Sequence, residues 1–404
     1  MSRKGRGSRT FAVALALACL LVPAGAVCAQ TPADEWGRDD IDPYSGLPRT
    51  GTTATGPADA STTSPQYGAG GVAGFTQNGQ VRQENMPWSG VWWPRKPCEL
   101  AFMGFSQGLS PLEKYDSLVY SNWGRNPGAA AWEADPQNKH NDAPQQGVDW
   151  AGHCNGLAAA AILEPEPKAS IRVPVGQYAA FLKLNIAHPS YARSGLWRDG
   201  QDDYRYYRAS GQSIELTVAD QKGWLCEMYM DVNCQQFENR DLLGRRYNSP
   251  DPNLQDPSYR DIYPHYFHYL LQAFLKNRQQ AFVCEVDPGF PVNNHPLFKY
   301  DSTSVYYPNQ GKYAVTTTVY FTDYGRGYND VGTNVTRQTY TYDLFLDQQG
   351  RIQWGEWTGS SQYNHPDFIW IPTQLARSGN GYANTALDPR FAQYLMGRNG
   401  GRQQ

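Results

Sequence analysis

The 404-residue chain has little charge and no surplus of either sign: Asp, Glu, Lys and Arg make up 18% of it, and the formal net charge is −3. A nucleic-acid-binding surface needs a basic excess, so that class is set aside. Metal-site spacing is missing too, with no C-x-x-C pair and no His-x-x-x-His on a helix, and neither metal nor cofactor is expected. The Gly-rich stretches lack the strand–loop–helix setting of a phosphate cradle. Beyond the N-terminus no apolar run is long enough to span a bilayer, and no internal repeat is visible. What is abundant is aromatic: 27 Tyr and 12 Trp, with 39 Gly and 28 Pro, a composition suited to an extracellular protein with long ordered loops.

The N-terminus has the layout of an export signal. Arg3, Lys4, Arg6 and Arg9 precede the apolar run from Phe11 to Val22, and small residues end at Ala29. Cleavage after Ala29 is expected, and with it a secreted or periplasmic protein. Residues 30–83, rich in Gly, Thr, Ser, Pro and Ala, read as a low-complexity linker or pro-segment. A folded domain is expected over 84–375, followed by a loose tail, 376–404.

Within that domain the hydrophobic period changes. Ser110-Pro-Leu-Glu113 is a helix start, with Ser as cap, Pro in the first turn and Glu at the third position. Small apolar residues from Leu157 to Ile162 predict a buried helix led by Gly152-His-Cys154, and helices are also expected over 175–184 and 263–275. From residue 281 onward the pattern is β-branched or alternating, at 281–286, 314–321, 338–346 and 352–357, with Asp347-Gln-Gln-Gly350 as a hairpin turn. A helical half packed on an antiparallel sheet is an α+β fold.

Cysteine arithmetic singles out one residue. Signal removal leaves Cys98, Cys154, Cys226, Cys234 and Cys284, an odd number. In an oxidising compartment Cys226–Cys234 is the natural local pair, and pairing Cys98 with Cys284 frees Cys154. A Cys at the start of a buried helix suits nucleophilic catalysis: unpaired amides and the helix dipole favour thiolate and can hold a developing oxyanion. Gly152 and Gly156 would let a substrate approach the backbone. The competing reading makes Cys154 a small buried hydrophobe.

Such a nucleophile needs a His base with an orienting partner. His153 is adjacent to the Cys and points elsewhere, and His265 and His268 lie on an aromatic helix where packing is the simpler role. Two candidates stand out. His295 lies 141 residues beyond Cys154, within the roughly 130–150 spacing of papain-type thiol enzymes. His365 has Asp367 two residues on, and Asp287 is a second orienter. Trp150 and Trp357 are candidate walls of the substrate site.

The segment Trp150-Ala-Gly-His-Cys154-Asn-Gly-Leu-Ala-Ala-Ala-Ala-Ile-Leu-Glu-Pro165 resembles the active-site segment of the transglutaminase-elicitor family, the oomycete cell-wall glycoproteins and their bacterial homologues. Collinear with it are Pro87-Trp-Ser-Gly90, Ser110-Pro-Leu-Glu-Lys-Tyr115, Asp261-Ile-Tyr-Pro-His-Tyr-Phe-His268, Val292-Asn-Asn-His-Pro296, and Gly355-Glu-Trp357 with His365-Pro-Asp-Phe-Ile-Trp370. Together they cover about residues 85–375. The resemblance implies a papain-like or transglutaminase-like core and a protein-glutamine γ-glutamyltransferase. Cys154 would attack a glutamine side-chain amide, and the thioester would pass to a primary amine. The family's Val-Trp-Asn-Gln-Pro reads Val-Asn-Asn-His-Pro here, with Asn293 for Trp and His295 for Gln. The alternatives are a secreted thiol hydrolase, which gives the same thioester to water, and a non-enzymatic surface-binding protein.

Overall fold

The computed structural model describes residues 71–95, 98–106, 108–135, 151–176, 213–237, 241–244, 261–286, 292–325, 327–376 and 383–398, with the backbone of the short strands at 27–28, 182–185 and 204–207. The rest of the segment read as an export signal, most of the stretch read as linker and the last six residues lie outside them.

Seven α-helices run through these residues: α1 (Glu99–Phe102), α2 (Pro111–Trp123), α3 (Ala129–Ala134), α4 (Cys154–Leu163), α5 (Val218–Met228), α6 (Pro264–Leu270) and α7 (Pro389–Leu395). An eight-stranded antiparallel sheet is built from β1 (Val72–Gln80), β2 (Leu243–Gly244), β3 (Phe282–Glu285), β4 (Asn294–Tyr307), β5 (Lys312–Asp323), β6 (Asn334–Leu346), β7 (Ile352–Trp357) and β8 (Phe368–Trp370). Its order is β7-β6-β5-β4-β3-β8-β2, and β1 also pairs with β4. The fold is α+β, as the change of period implied. Among the described residues no helix is long and apolar enough to cross a membrane.

Local chemistry explains the helix starts. Ser110 accepts from the Glu113 amide while the Glu113 carboxylate accepts from the Ser110 amide, with Pro111 in the first turn. Thr217 and Asp220 repeat the reciprocal cap on α5. Asp220 also receives the Lys114 ammonium at 2.6 Å, both side chains fully buried, which ties α2 to α5. Two charges withdrawn together satisfy each other where either alone would be costly.

Helix α4 is buried along its whole length and packs on α5 and β4. A Cβ on Gly156 would stand 2.1 Å from the Cys226 carbonyl oxygen, and one on Gly152 would stand 2.3 Å from Trp92 Cδ1. These glycines admit neighbouring protein, α5 and Trp92, where the sequence reading assigned them to substrate.

Several segments differ from expectation. Strand β1 falls inside the stretch read as linker, where Gly74 lies too close to Ser304 for any side chain: a Cβ would meet Ser304 Oγ at 2.3 Å. Glycine chosen for close strand packing looks like linker composition. Strand β4 was hidden by Pro296 and by polar residues that are buried in pairs. Helix α7 stands in the stretch read as tail, with Phe391 against Trp123 at 4.4 Å. The helix expected over 175–184 instead has a strand at Leu182–Asn185 paired with Tyr204–Tyr207, and 177–181 lie outside the described residues.

A buried polar chain joins α6 to the sheet. Gln272 Nε2 meets His268 Nε2 at 2.7 Å, so Nδ1 carries the ring proton and donates to the Tyr342 hydroxyl at 2.8 Å. Tyr342 meets Thr317, and Thr317 meets Ser302. His268 thus has the packing role the aromatic helix implied. Burial, and secondarily the Lys276 charge, push its pKa down to about 3.

Two outcomes follow. Gly156→Ala should cost about 1–3 kcal/mol, the typical price of overpacking, seen as a lower urea midpoint. For His268 the folded pKa lies below the ordinary value of 6.5, so between the two the unfolded chain binds the extra proton. Stability should therefore fall as the pH drops from about 6.5 toward 3, by at most about 1.4 kcal/mol per pH unit from this group. Urea midpoints of the protein and of His268→Gln across that range measure the difference in slope.

Candidate functional site

The chain enters α4 beneath Trp92, where the His153 amide donates to the Trp92 carbonyl at 2.6 Å. Cys154 is the first helical residue. Helix geometry leaves its amide and the next two without intrahelical carbonyl partners, a set of donors at the helix start. Cys154 is 6% exposed. Its S–H donates to the Val292 carbonyl at 3.6 Å, and it accepts from Asn294 Nδ2 at 3.5 Å.

Asn294 is oriented in turn. Its Oδ1 accepts from the Trp370 indole Nε1 at 2.9 Å. An indole N–H only donates, so the amide oxygen must face Trp370 and the NH₂ must face the sulfur. Loss of the thiol proton would strengthen the Asn294 bond, since a charged acceptor binds a donor more tightly. The cluster therefore draws on three elements: α4 supplies sulfur and amides, β4 the carboxamide, and β8 the indole that aims it.

His295, the next residue on β4, turns away from Asn294. Its Nδ1 lies 2.8 Å from the Thr322 carbonyl, so Nδ1 bears the proton and Nε2 is the basic nitrogen. The ring packs between Phe321 and Tyr324. Tyr324 contacts Trp92, which covers Gly152. His295 thus reaches the segment leading into Cys154 through two aromatic rings.

His365 is engaged elsewhere. Nδ1 donates to the Ser361 carbonyl at 2.8 Å and Nε2 lies 3.0 Å from Asp261 Oδ2. Its ring stacks on Trp357 at 5.0 Å, and the Trp357 indole donates to the Ile262 carbonyl. Burial raises the Asp261 pKa, with the His365 hydrogen bond and charge opposing. Asp261 is the carboxylate on this imidazole, where the sequence pointed to Asp367. Asp367 is buried, and its carbonyl accepts from the Ile262 amide. Trp357 packs among Phe267, Tyr340 and Tyr342. Trp150 and Asp287 lie outside the described residues.

Sequence reading passed over Asn294, Trp370 and Asp261, although all three stand in the quoted motifs. Asn294 is the residue of Val292–Pro296 that keeps the family's Asn between the two replaced positions.

The two expected disulfides are not formed. Cys98, Cys154, Cys226 and Cys284 carry free thiols. Cys226 faces the core from α5, Cys98 donates to the Glu133 carbonyl, and Cys284 lies in β3 between β4 and β8. Proximity in sequence could not show that a helix aims Cys226 inward. Burial raises the pKa of Cys98, Cys226 and Cys284, so all three stay protonated and inert.

Comparison with known proteins agrees with this fold. A family model described as transglutaminase elicitor matches residues 327–383, which include Trp357, His365 and Asp367 but not Cys154. The crystal structure of the GP42 transglutaminase from Phytophthora sojae is similar, with a TM-score of 0.50 and 19% identity, over 79% of this chain and 90% of that one. At that identity the likeness concerns the fold. No curated protein sequence matches the chain. The two matches support the family that the sequence resembles.

Under native conditions iodoacetamide should label Cys154 well before Cys98, Cys226 or Cys284, and unfolding should expose all four. Peptide mass spectrometry of the timed reaction checks the order; preferential labelling of any of the other three would contradict this site.

Proposed function

We propose that the protein is a secreted transglutaminase that joins a glutamine side chain of a protein or peptide to a primary amine through a thioester on Cys154. The supporting observation is the sulfur at the start of a buried helix, held by an Asn294 carboxamide that Trp370 orients. The family match and the fold shared with GP42 transglutaminase favour acyl transfer over other thiol chemistry.

In this reading the Cys154 sulfur attacks the γ-carboxamide carbon and the amide oxygen becomes an oxyanion. The helix-start amides and Asn294 Nδ2 are the donors that stabilise it. The C–N bond breaks and ammonia leaves with a proton. An amine then attacks the thioester, forming an isopeptide bond and returning the sulfur. His295 is the base of this reading, with Nδ1 anchored on Thr322 and Nε2 the basic nitrogen. His365, with both ring nitrogens engaged by Ser361 and Asp261, serves that side of the domain as a structural hydrogen-bonded pair. Burial limits access to the sulfur and to bulk water, and a dry site favours an amine over hydrolysis of the thioester. The N-terminal apolar segment is the export signal of this reading.

Cys154→Ala should abolish incorporation of a fluorescent primary amine into a glutamine-rich protein. Asn294→Ala should lower kcat by about 10²–10³, the cost of removing one oxyanion donor, with the fold intact by circular dichroism. Amine incorporation that survives in Cys154→Ala would overturn the proposal. Ammonia release with glutamate formed and no amine incorporated would identify a thiol hydrolase instead.

A further inference from the structure

Beside Cys154 in the chain, at the entry to α4, three ionisable side chains meet in the interior. His153 Nε2 lies 3.2 Å from Glu133 Oε1 and 3.0 Å from Glu227 Oε2, and each of the three side chains is at most 1% exposed. One donor atom from each lies within 4.8 Å of the other two. They come from three places: Glu133 from α3, His153 from the turn before α4, Glu227 from α5.

The imidazole is presented as metal-bound imidazoles are. Its Nδ1 lies 2.6 Å from the Trp93 carbonyl, so one proton sits there and Nε2 is the nitrogen turned to the carboxylates. Metal-ligating histidines characteristically give the other ring N–H to a carbonyl or carboxylate in this way. With no ion between imidazole and carboxylates, burial opposes a second proton, but Glu133 and Glu227 outweigh it and push the His153 pKa up to about 10. A bound ion would displace that proton. Glu227 is braced as well: its Oε1 accepts from the Asn384 amide at 2.6 Å, leaving Oε2 directed at His153.

A hydrogen bond explains this convergence less well than an ion does. One imidazole N–H points along one line and makes one well-directed bond, yet two carboxylate oxygens crowd the same nitrogen at nearly equal distance. An ion about 2.0–2.2 Å from each donor would produce donor separations of this size at angles of roughly 90–100°. Two carboxylates and a neutral imidazole also balance a charge of +2. The mixed nitrogen and oxygen donors suit zinc or a similar transition ion better than calcium or magnesium, which take oxygen alone.

We propose that Glu133, His153 and Glu227 form a buried binding site for a divalent transition-metal ion of the zinc class, one that pins α3, α5 and the start of α4 together. The role is structural: the ion is closed off from solvent and is taken up as the chain folds. It stands apart from the acyl-transfer reading, since nothing in that chemistry passes through it.

The test uses the full-length, tag-free chain, unfolded and refolded with dipicolinate to strip metal, then dialysed and given Zn²⁺. Inductively coupled plasma mass spectrometry should find one zinc per chain after gel filtration, with a raised Tm. Glu133→Gln and Glu227→Gln should each bind at least roughly 100-fold more weakly, because loss of an outer partner alone costs about 10–100-fold. Should these variants fail to fold, Co²⁺ in the wild-type chain decides: ligand-field bands without a sulfur-to-metal charge-transfer band are expected from nitrogen and oxygen donors. Wild-type protein that folds and stays metal-free in Zn²⁺, uptake unchanged in both variants, or a thiolate charge-transfer band would overturn the proposal, the first leaving the triad as a protonated ion cluster only. No readout depends on activity, so the two proposals fail separately.

Discussion

Helix α4 approaches α5 so closely that the Cα of Gly156 faces the Cys226 carbonyl with no room for a methyl group. This backbone contact sets the rotation and height of α4 between α5 and the sheet. Because α4 is only ten residues long and buried throughout, its first residue has nowhere to go but against the start of β4. There Val292 and Asn294 meet the sulfur. Gly152 makes the matching contact at the entry, where the chain slips beneath Trp92. The position of the Cys154 sulfur is thus a packing result, obtained from two glycines and a run of alanines.

Polar groups in the interior are arranged in pairs and chains that join elements distant in sequence. Lys114–Asp220 links α2 and α5, and Lys222–Glu166 ties α5 to the segment after α4. The chain from Gln272 through His268, Tyr342 and Thr317 to Ser302 fastens α6 to three neighbouring strands. The contact of Trp370, Asn294 and Cys154 follows the same logic at the site: an indole with a single possible role dictates which end of a carboxamide faces the sulfur. Aim, more than mere proximity, distinguishes Cys154 from the three thiols that burial keeps inert.

Much of this was readable from residues. The Ser110 cap, the alanine-rich core helix and the Asp347–Gly350 turn are local signals, and they appear where their chemistry puts them. What escaped was tertiary. Strand β4 hides its polar residues by pairing Ser302 with Thr317 across the ladder, and β1 uses glycine for contact with Ser304; neither leaves a trace in a single segment. The disulfides went astray because thiol pairing depends on where helices point. Asn294 was passed over beside the more conspicuous His295, since a carboxamide becomes significant only once a donor is known to orient it.

The central claim is that Cys154 carries the acyl group. Incubation of the protein with a glutamine-containing peptide and no amine, followed by acid quench and peptide mass spectrometry, tests it most directly. The expected result is a thioester on the peptide containing Cys154, with the mass of the substrate less ammonia, that disappears when an amine is added. Amine transfer with no adduct at Cys154, or with the adduct on another residue, would contradict it.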